Sequence, residues 1–563
     1  MKYALVLSLT ICITISNATN YFVSSSIGND SYNGTTEITP WKTIDKINAF
    51  QFSPGDSIFL KGGDSWRGSL VPKSGSVSNN IYYGAYSINS KPVILGSVSF
   101  NNSSKWINKS GNLWECDTIF DSSILDIGNI ILNNAEKIGV KKWDENTLQI
   151  QNNFVYNTTL NKITIYSLGN PAILYNSIEL ALREHIINFE SKKHITFENI
   201  ELKYGSAHGF GGGNTEGITI RNCDISYIGG GELNQNQRER FGNGIEFWGG
   251  ATNNTVESCK IWEIYDTGLS NQNHSTKAIQ HNIKYRNNII WNCGLASFEY
   301  WNRHIDSKTS EIYFENNTCL FAGEGWGSQR PDLRGIHVLI DNNEAETDTI
   351  YIRNNIFYSA TRQIYTVENS FDGFIKLDYN TVYQPNPSDT LYASFPVVTQ
   401  FTISQFNDFQ NATGKASHSF VSDPLFVDIN NLNFQLSSNS PCINTGLTTD
   451  LNHDFSGESR PNQSGYDIGA YEFSQLTSTN DFKLDFNIYP NPATKTLRIS
   501  NANLSNEPLQ VQIINSNGQE VLSNQTFQND ESINLESLQT GLYLIRIKHN
   551  SQTKYAGRVV IYK

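Results

Sequence analysis

Between Phe197 and Val382 one arrangement of apolar and polar positions returns six times: an apolar residue, two mostly polar ones, a Cys or Asn, then another apolar residue one or two places on. The copies are IRNCDI (220–225), VESCKI (256–261), YRNNII (285–290), FENNTC (314–319), IRNNIF (352–357) and LDYNTV (377–382), with FENIEL (197–202) as an earlier, weaker one. The fourth position reads Cys223, Cys259, Asn288, Asn317, Asn355 and Asn380, at intervals of 36, 29, 29, 38 and 25 residues. A constant local pattern at irregular spacing predicts short strands of fixed length joined by loops of variable length, stacked as coils on a constant core. A helical repeat would hold its length more closely.

Composition agrees with strands. The chain is rich in Asn, Ser, Thr, Ile and Tyr, carries only 17% charged residues, and has few long stretches of good helix formers. With these segments the chain resembles the right-handed parallel β-helix proteins of the pectin-lyase-like type. In that class inward Asn and small residues stack in ladders, and one outer face carries a carbohydrate site. The resemblance covers roughly residues 20–473 and implies an all-β fold. YFVSSSIGNDSYNG (21–34), PGDSIFLKGGDSWRGSL (54–70) and IYYGAYSINSKPVILGS (81–97) resemble first coils, and the stretch from Trp41 to Phe50 a short capping helix. SDPLFVD (422–428), SPCINTG (440–446) and DIGAYEF (467–473) resemble closing coils. The expected organisation is a cap and first coils over 19–100, an inserted β-rich subdomain over 101–193 where the rhythm breaks, and the main coils over 194–473.

The first residues, Lys2 followed by an apolar run to Ile15 and then Ser16, Asn17 and Ala18, read as a secretory signal peptide over 1–18. No later stretch is apolar for long enough to span a bilayer. After a linker at 474–483, residues 484–563 alternate as short strands with Pro-rich and Asn-Gly turns, a small antiparallel β-sandwich. Through YPNP (489–492), GLY (541–543) and the terminal Lys563 this tail resembles the C-terminal sorting domain of the type IX secretion system. The resemblance implies the type IX machinery as a partner and export to the medium or the cell surface.

A net charge of −13 speaks against nucleic acid, whose binding needs clustered Lys and Arg, and weighs slightly against a polyanionic substrate. Arg238, Arg240, Arg330 and Arg334 are candidates for a local basic groove. Six cysteines lie beyond the signal peptide, and two, Cys223 and Cys259, share one inward column, which favours buried free thiols over disulfides. No pair has zinc-site spacing. Asp450, Asn452, Asp454 and Gly457 mimic part of a calcium loop without its terminal bidentate acid, so a plain turn is the better reading.

Carrying each repeat into its following strand lays out a second column: Gly209, Gly244, Gly268, Ser297, Gly335 and Gln363, each followed by an apolar residue expected to point inward (Phe210, Ile245, Leu269, Phe298, Ile336, Ile364). By the period of two, the next residues point outward: Gly211, Glu246, Ser270, Glu299, His337 and Tyr365. Trp248, Gln272, Trp301 and Leu339 form the next outward row. Acids beside tryptophans on one solvent-facing stripe suit a glycan-cleaving cleft, against the plainer reading of a solvated face. Coils stack about 4.8 Å apart, so Glu246 and Glu299 have backbones roughly 9 to 10 Å apart, which suits an inverting pair with room for a water.

The expected activity is hydrolysis of a polysaccharide or oligosaccharide, needing no cofactor. One of Glu246 and Glu299 protonates the leaving oxygen, the other activates water, and His337 positions a hydroxyl or tunes the acid. Asp266 is a third candidate acid, or equally a turn residue capping backbone amides. Glu324, Trp326, Arg330 and Asp332 on a Gly-rich loop, and His208 in AHGFGGG, are candidate substrate contacts. The alternatives are a polysaccharide lyase acting on a uronate, with calcium or Arg330 and Arg334 neutralising the carboxylate, and a non-catalytic glycan-binding adhesin.

Overall fold

The structure, a computed structural model, describes residues 18–474 apart from 88–89, 122–124, 235–237, 275, 333–334 and 370–372, and residues 487–562 apart from 492, 501–508, 516–519, 529 and 550–551. Almost all of the expected signal peptide and linker lies outside the described residues, as do Arg334, Pro492 and Lys563. The chain divides into two compact units, Met1–Phe473 and Ser474–Lys563.

The first unit is built from strands that recur three to a circuit. Thr255–Glu257, Lys260–Ile264 and Thr267–Asn273 are followed by Ile279–Arg286, Ile289–Cys293 and Ala296–Asn302, then by Lys308–Glu315, Thr318–Ala322 and Ile336–Asn343. Each strand pairs in parallel with its counterpart one circuit on. The local sequence explains the first corner of every circuit. The residue before the repeat's fourth position (Asn222, Ser258, Asn287, Asn316, Asn354, Tyr379) sits in the left-handed region at φ 52° to 58°, which Asn enters more readily than other side-chain-bearing residues.

That twist turns the fourth residue inward, where the asparagines join into a ladder. The Nδ2 of Asn288 donates to Oδ1 of Asn317 at 3.0 Å, Asn317 to Asn355 at 3.1 Å and Asn355 to Asn380 at 3.0 Å. Each Oδ1 also accepts the backbone N–H of the previous rung. The ladder thereby satisfies corner amides that no strand partner reaches. Beside it runs an apolar core from Val23 to Ala416 that includes Phe247, Phe298, Phe314 and Phe357. Cys116, Cys223, Cys259, Cys293, Cys319 and Cys442 are all buried free thiols. A short helix, Ile44–Ala49, capped by the Thr43 hydroxyl, buries Ile44 and Ile47 at the start of this core.

Between Ser97 and Leu182 the chain leaves the circuits for a four-stranded and a five-stranded sheet that are largely antiparallel and enclose their own core of Phe100, Ile130, Phe154 and Ile163. Arg67 clasps Glu179 of this insertion at 2.6 and 2.8 Å. Its buried Asp126 pairs with Lys141 and accepts the Glu232 N–H at 2.7 Å, and Arg240 donates to the Gly128 carbonyl at 3.0 Å. The insertion is thus fastened to the segment that leads to Asn243. In the closing region the Asp454 carboxylate accepts the N–H groups of Ser456, Glu458 and Glu472, the bonding of a turn acid. The second unit has a three-stranded and a four-stranded antiparallel sheet around Leu497, Val511, Ile513, Ile545 and Val559. Among the described residues no helix is long and apolar enough to cross a membrane.

Candidate active site

Strand pairing fixes the register of the candidate face. Phe210, Ile245, Leu269, Phe298, Val338 and Tyr365 lie level with one another and all belong to the apolar core. The outward row is therefore Gly211, Glu246, Ser270, Glu299, Leu339 and Thr366, and the next is Gly213, Trp248, Gln272, Trp301 and Asp341.

This corrects the expectation at its far end. The long excursion after Ala322 re-enters the sheet two residues early, so Ile336 pairs with Ala296 rather than Phe298. His337 then lies level with Ser297, fully buried. Its Nδ1 is 3.0 Å from the Ser297 hydroxyl and its ring 5.5 Å from Phe357, and burial pushes its pKa down to about 3. It is a neutral core residue and touches neither glutamate. Tyr365 likewise faces the core, while Leu339 takes the place beside Glu299 and packs with Leu295, Ala296 and Ile336.

Glu246 and Glu299 share the outward row, two coils apart, but the stripe they occupy is sheltered, with each only 5% exposed. Around Glu246 the wall is made of donors. Asn243 donates its Nδ2 to Oε2, and His208 Nε2 stands 3.4 Å from Oε1. Both orientations are fixed from behind: Asn243 Oδ1 accepts the Thr267 N–H at 2.9 Å, and His208 Nδ1 accepts the Asn243 N–H at 2.9 Å. Burial, with His185 and Arg183 nearby, holds His208 neutral, well below its ordinary pKa. Its single proton is therefore on Nε2, facing Glu246. Burial pushes the Glu246 carboxyl up to about 8, with the Asp266 charge adding to it against the Asn243 hydrogen bond.

Glu299 is held by Thr267, whose hydroxyl donates at 3.1 Å, and by Gln272, which donates at 2.8 Å to the same oxygen. It too is pushed up to about 8, by burial first and then by the charges of Asp266 and Glu246. Asn243 and Thr267, neither singled out from the sequence, thus bridge the two acids. Asp266 lies one residue before Thr267, and Arg330 donates to its Oδ1 at 2.7 Å. Burial is the main cause of both raised values, and the neighbouring carboxylates add to it, since the three carboxyls cannot all be charged here without penalty.

Beside the acids runs an aromatic stack. Trp248, 38% exposed, stacks on His274 at 4.8 Å, His274 meets Trp301 at 4.3 Å, and the Arg303 guanidinium lies 4.3 Å over Trp301. Gly213 is level with Trp248 on the preceding coil and puts no side chain beside it. Trp301 is instead wedged between His274 and Arg303. His274 and Arg303 escaped sequence reading because they follow the strands whose alternation carried the argument.

The Gly-rich loop differs from expectation. Trp326 is a packing residue, buried, with its indole N–H given to the Glu263 carbonyl at 2.7 Å and its ring against Tyr265. Arg330 is committed to Asp266 and, through Nε and Nη2, to Asp332 at 3.0 and 3.1 Å. Glu324 is exposed in a turn. Arg238 pairs with Asp144 and Arg240 with the carbonyls of Gly128 and Gly230, so no basic groove forms from these described arginines. Among the described residues no cluster of His, Cys, Asp or Glu has the arrangement of a metal site.

Residues 487–562 match the family model described as the secretion system C-terminal sorting domain, which marks the chain for export by the type IX route to the cell surface or medium. A stretch of 111 residues is 34% identical to the lacto-N-biosidase of Bifidobacterium longum, covering 18% of this chain and 6% of that protein. The chain thus spans a small fraction of that relative's length. Among solved structures, a glycoside hydrolase superposes with a TM-score of 0.45 at 11% identity, over 67% of this chain and 95% of its own. The GH136 lacto-N-biosidase of Eubacterium ramulus gives 0.36 at 14% identity over 72% and 68%. An alginate lyase from Paenibacillus sp. gives 0.38 at 13% identity over 67% and 92%. Likenesses this distant bear on no feature of the site.

Proposed function

We propose that the chain is an exported enzyme that hydrolyses glycosidic bonds, using Glu246 and Glu299 on the outer face of a right-handed parallel β-helix. The observation that carries the reading is the pair itself: two buried carboxyls in one row, each raised to about 8, beside an exposed tryptophan. A carboxyl raised that far stays protonated near neutral pH, as a general acid must. Glu299 is the better acid. Both of its donors go to Oε2 and leave Oε1 to carry the proton, whereas donors facing both oxygens of Glu246 favour its ionised form.

Coupling makes the two carboxyls lose their protons in sequence. In the singly protonated state Glu299 donates to the leaving oxygen while ionised Glu246 takes a proton from water. Their backbones lie two coils apart, roughly 9 to 10 Å, which leaves room for that water and favours inversion. Asp266, Arg330 and the Asn243–Thr267 bridge hold the charges in place, and Trp248 stacks against a sugar ring. Arg330, committed to two carboxylates, is not the uronate-neutralising cation that the lyase alternative would make of it.

The test incubates the mature chain with neutral and uronate-containing polysaccharides and records reducing ends together with the ultraviolet absorbance of unsaturated products. Reducing ends without absorbance, lost in Glu246→Gln and Glu299→Gln, are expected. Absorbance would replace hydrolysis by β-elimination. Binding without turnover, unchanged in both variants, would make the protein a glycan-binding adhesin.

A further inference from the structure

Arg303 stands apart from the arginines around it. Arg238 holds one carboxylate, Arg330 two, and Arg240 two carbonyls. The half-buried side chain of Arg303 makes no ion pair with any described carboxylate. One face lies 4.3 Å over Trp301, and Nη1 points at His274 Nδ1 from 3.4 Å. Its Nε–H is buried and meets no acceptor among the described residues, and the same holds for the indole N–H of Trp301 beside it. In a chain of net charge −13, a guanidinium kept free of acids, with its own Nε–H and the neighbouring indole N–H both orphaned, is an anomaly, because buried donors are nearly always satisfied.

The side of the guanidinium that carries Nε and Nη2 is the geometry that takes a carboxylate or sulfate with two parallel hydrogen bonds. Burial and the Arg303 charge push the pKa of His274 down, so it stays neutral and can accept from Nη1, steering the fork away from itself. Trp301 lies in the same row as Trp248 and Gln272, and Gln272 bonds Glu299. An anion held here would belong to a sugar adjoining the reacting carboxyls.

We propose that Arg303 reads an anionic substituent, a carboxylate or a sulfate ester, on the sugar lying against Trp301, so that the substrate is an acidic glycan. This rests on the reading of the face as the active one, and it works against the acidic balance of the chain as a whole, which would otherwise repel such a ligand.

The experiment titrates the full mature chain and its Arg303→Gln and Arg303→Lys variants with glucuronate, sodium sulfate and neutral methyl glucoside. Tryptophan fluorescence is the readout, and circular dichroism checks that the variants fold. The wild type should bind glucuronate, sulfate or both more tightly than methyl glucoside. Arg303→Gln should lose at least about tenfold and Arg303→Lys only part of that, as expected for a charge-assisted fork reduced to a point charge. Glucuronate alone identifies a uronate, and sulfate alone a sulfated sugar. Equal responses of wild type and Arg303→Gln, or a preference for methyl glucoside, overturn the proposal. Anion binding through Arg303 in a chain that cleaves nothing would sink the hydrolase reading alone. Cleavage of neutral glycans at full rate by Arg303→Gln would sink this proposal alone.

Discussion

Replacing Glu246 by Gln should change stability in opposite directions at the two ends of the pH range. The wild-type carboxyl is lifted from 4.5 to about 8, a difference of roughly 3.5 units. At about 1.36 kcal/mol per unit that is a ceiling of roughly 5 kcal/mol. Because the folded value lies above the unfolded one, the stability this group contributes is complete below about pH 4.5. It is lost as pH rises through about 8, where the folded chain must ionise a buried acid. Gln has no such charge, so above pH 8 the variant escapes the loss.

The substitution also has a cost that pH does not move. Asn243 Nδ2 and His208 Nε2 face the two oxygens, and Gln turns one oxygen into a second donor. One buried donor then goes unsatisfied, at about 1–3 kcal/mol. The variant should therefore be less stable than wild type by about 1–3 kcal/mol at pH 4 and more stable by roughly 2–4 kcal/mol at pH 9. Urea denaturation across that range, followed by tryptophan fluorescence, gives both curves. Parallel curves with no crossing would refute the buried, raised carboxyl and with it the place of Glu246 in the catalytic pair.

The rate should follow the same pair: kcat/KM is expected to be bell-shaped with its maximum in the neutral to mildly alkaline range and to fall sharply by pH 5, where both carboxyls are protonated. Activity held to pH 5 would instead make Asp266, ion-paired with Arg330 at 2.7 Å, the base. Asn317→Ala strips acceptors or donors from the Asn288 N–H, the Tyr285 carbonyl and the Asn355 side chain at once, so chemical denaturation should show a loss of at least about 3 kcal/mol. Trp326→Ala should cost about 3–5 kcal/mol of stability and leave KM within about twofold, because the indole packs on Tyr265 and not on substrate; a KM rise without destabilisation would reverse that assignment. A thiol reagent should label none of the six mature cysteines in the native chain and all six once it is unfolded, and fewer than six after unfolding would show a disulfide.

What the sequence made legible was set by period. The inward asparagines are a local feature, fixed by neighbours one or two positions away, so the repeat displayed them and the family resemblance implied their ladder, while the αL residue before each one emerged only in the structure. The pairing of Glu246 with Glu299 was legible because the alternation keeps its origin across the excursion 229–244, as it does across the short corner before Ala296. His337 shows where that logic fails. Alternation assigns a face only once the first residue of the strand is known, and the long excursion from Gly323 to Gly335 leaves that origin free to slip by two. A slip of two preserves the inward–outward alternation, so a histidine carried into the corner still reads as an outward residue although its ring packs on Phe357. Trp326 fails differently. Composition makes a Gly-rich loop with Trp and Arg look like a substrate contact, yet whether an indole packs or binds depends on partners distant in sequence, here Tyr265 and the Glu263 carbonyl. Asn243, Thr267, His274 and Arg303 sit at strand ends or in loops where no periodicity operates, and their roles follow from hydrogen bonds between coils. The acids were readable because the scaffold repeats, and the groups that set their proton affinities were not, because they come from the corners and strand ends where the repeat is interrupted.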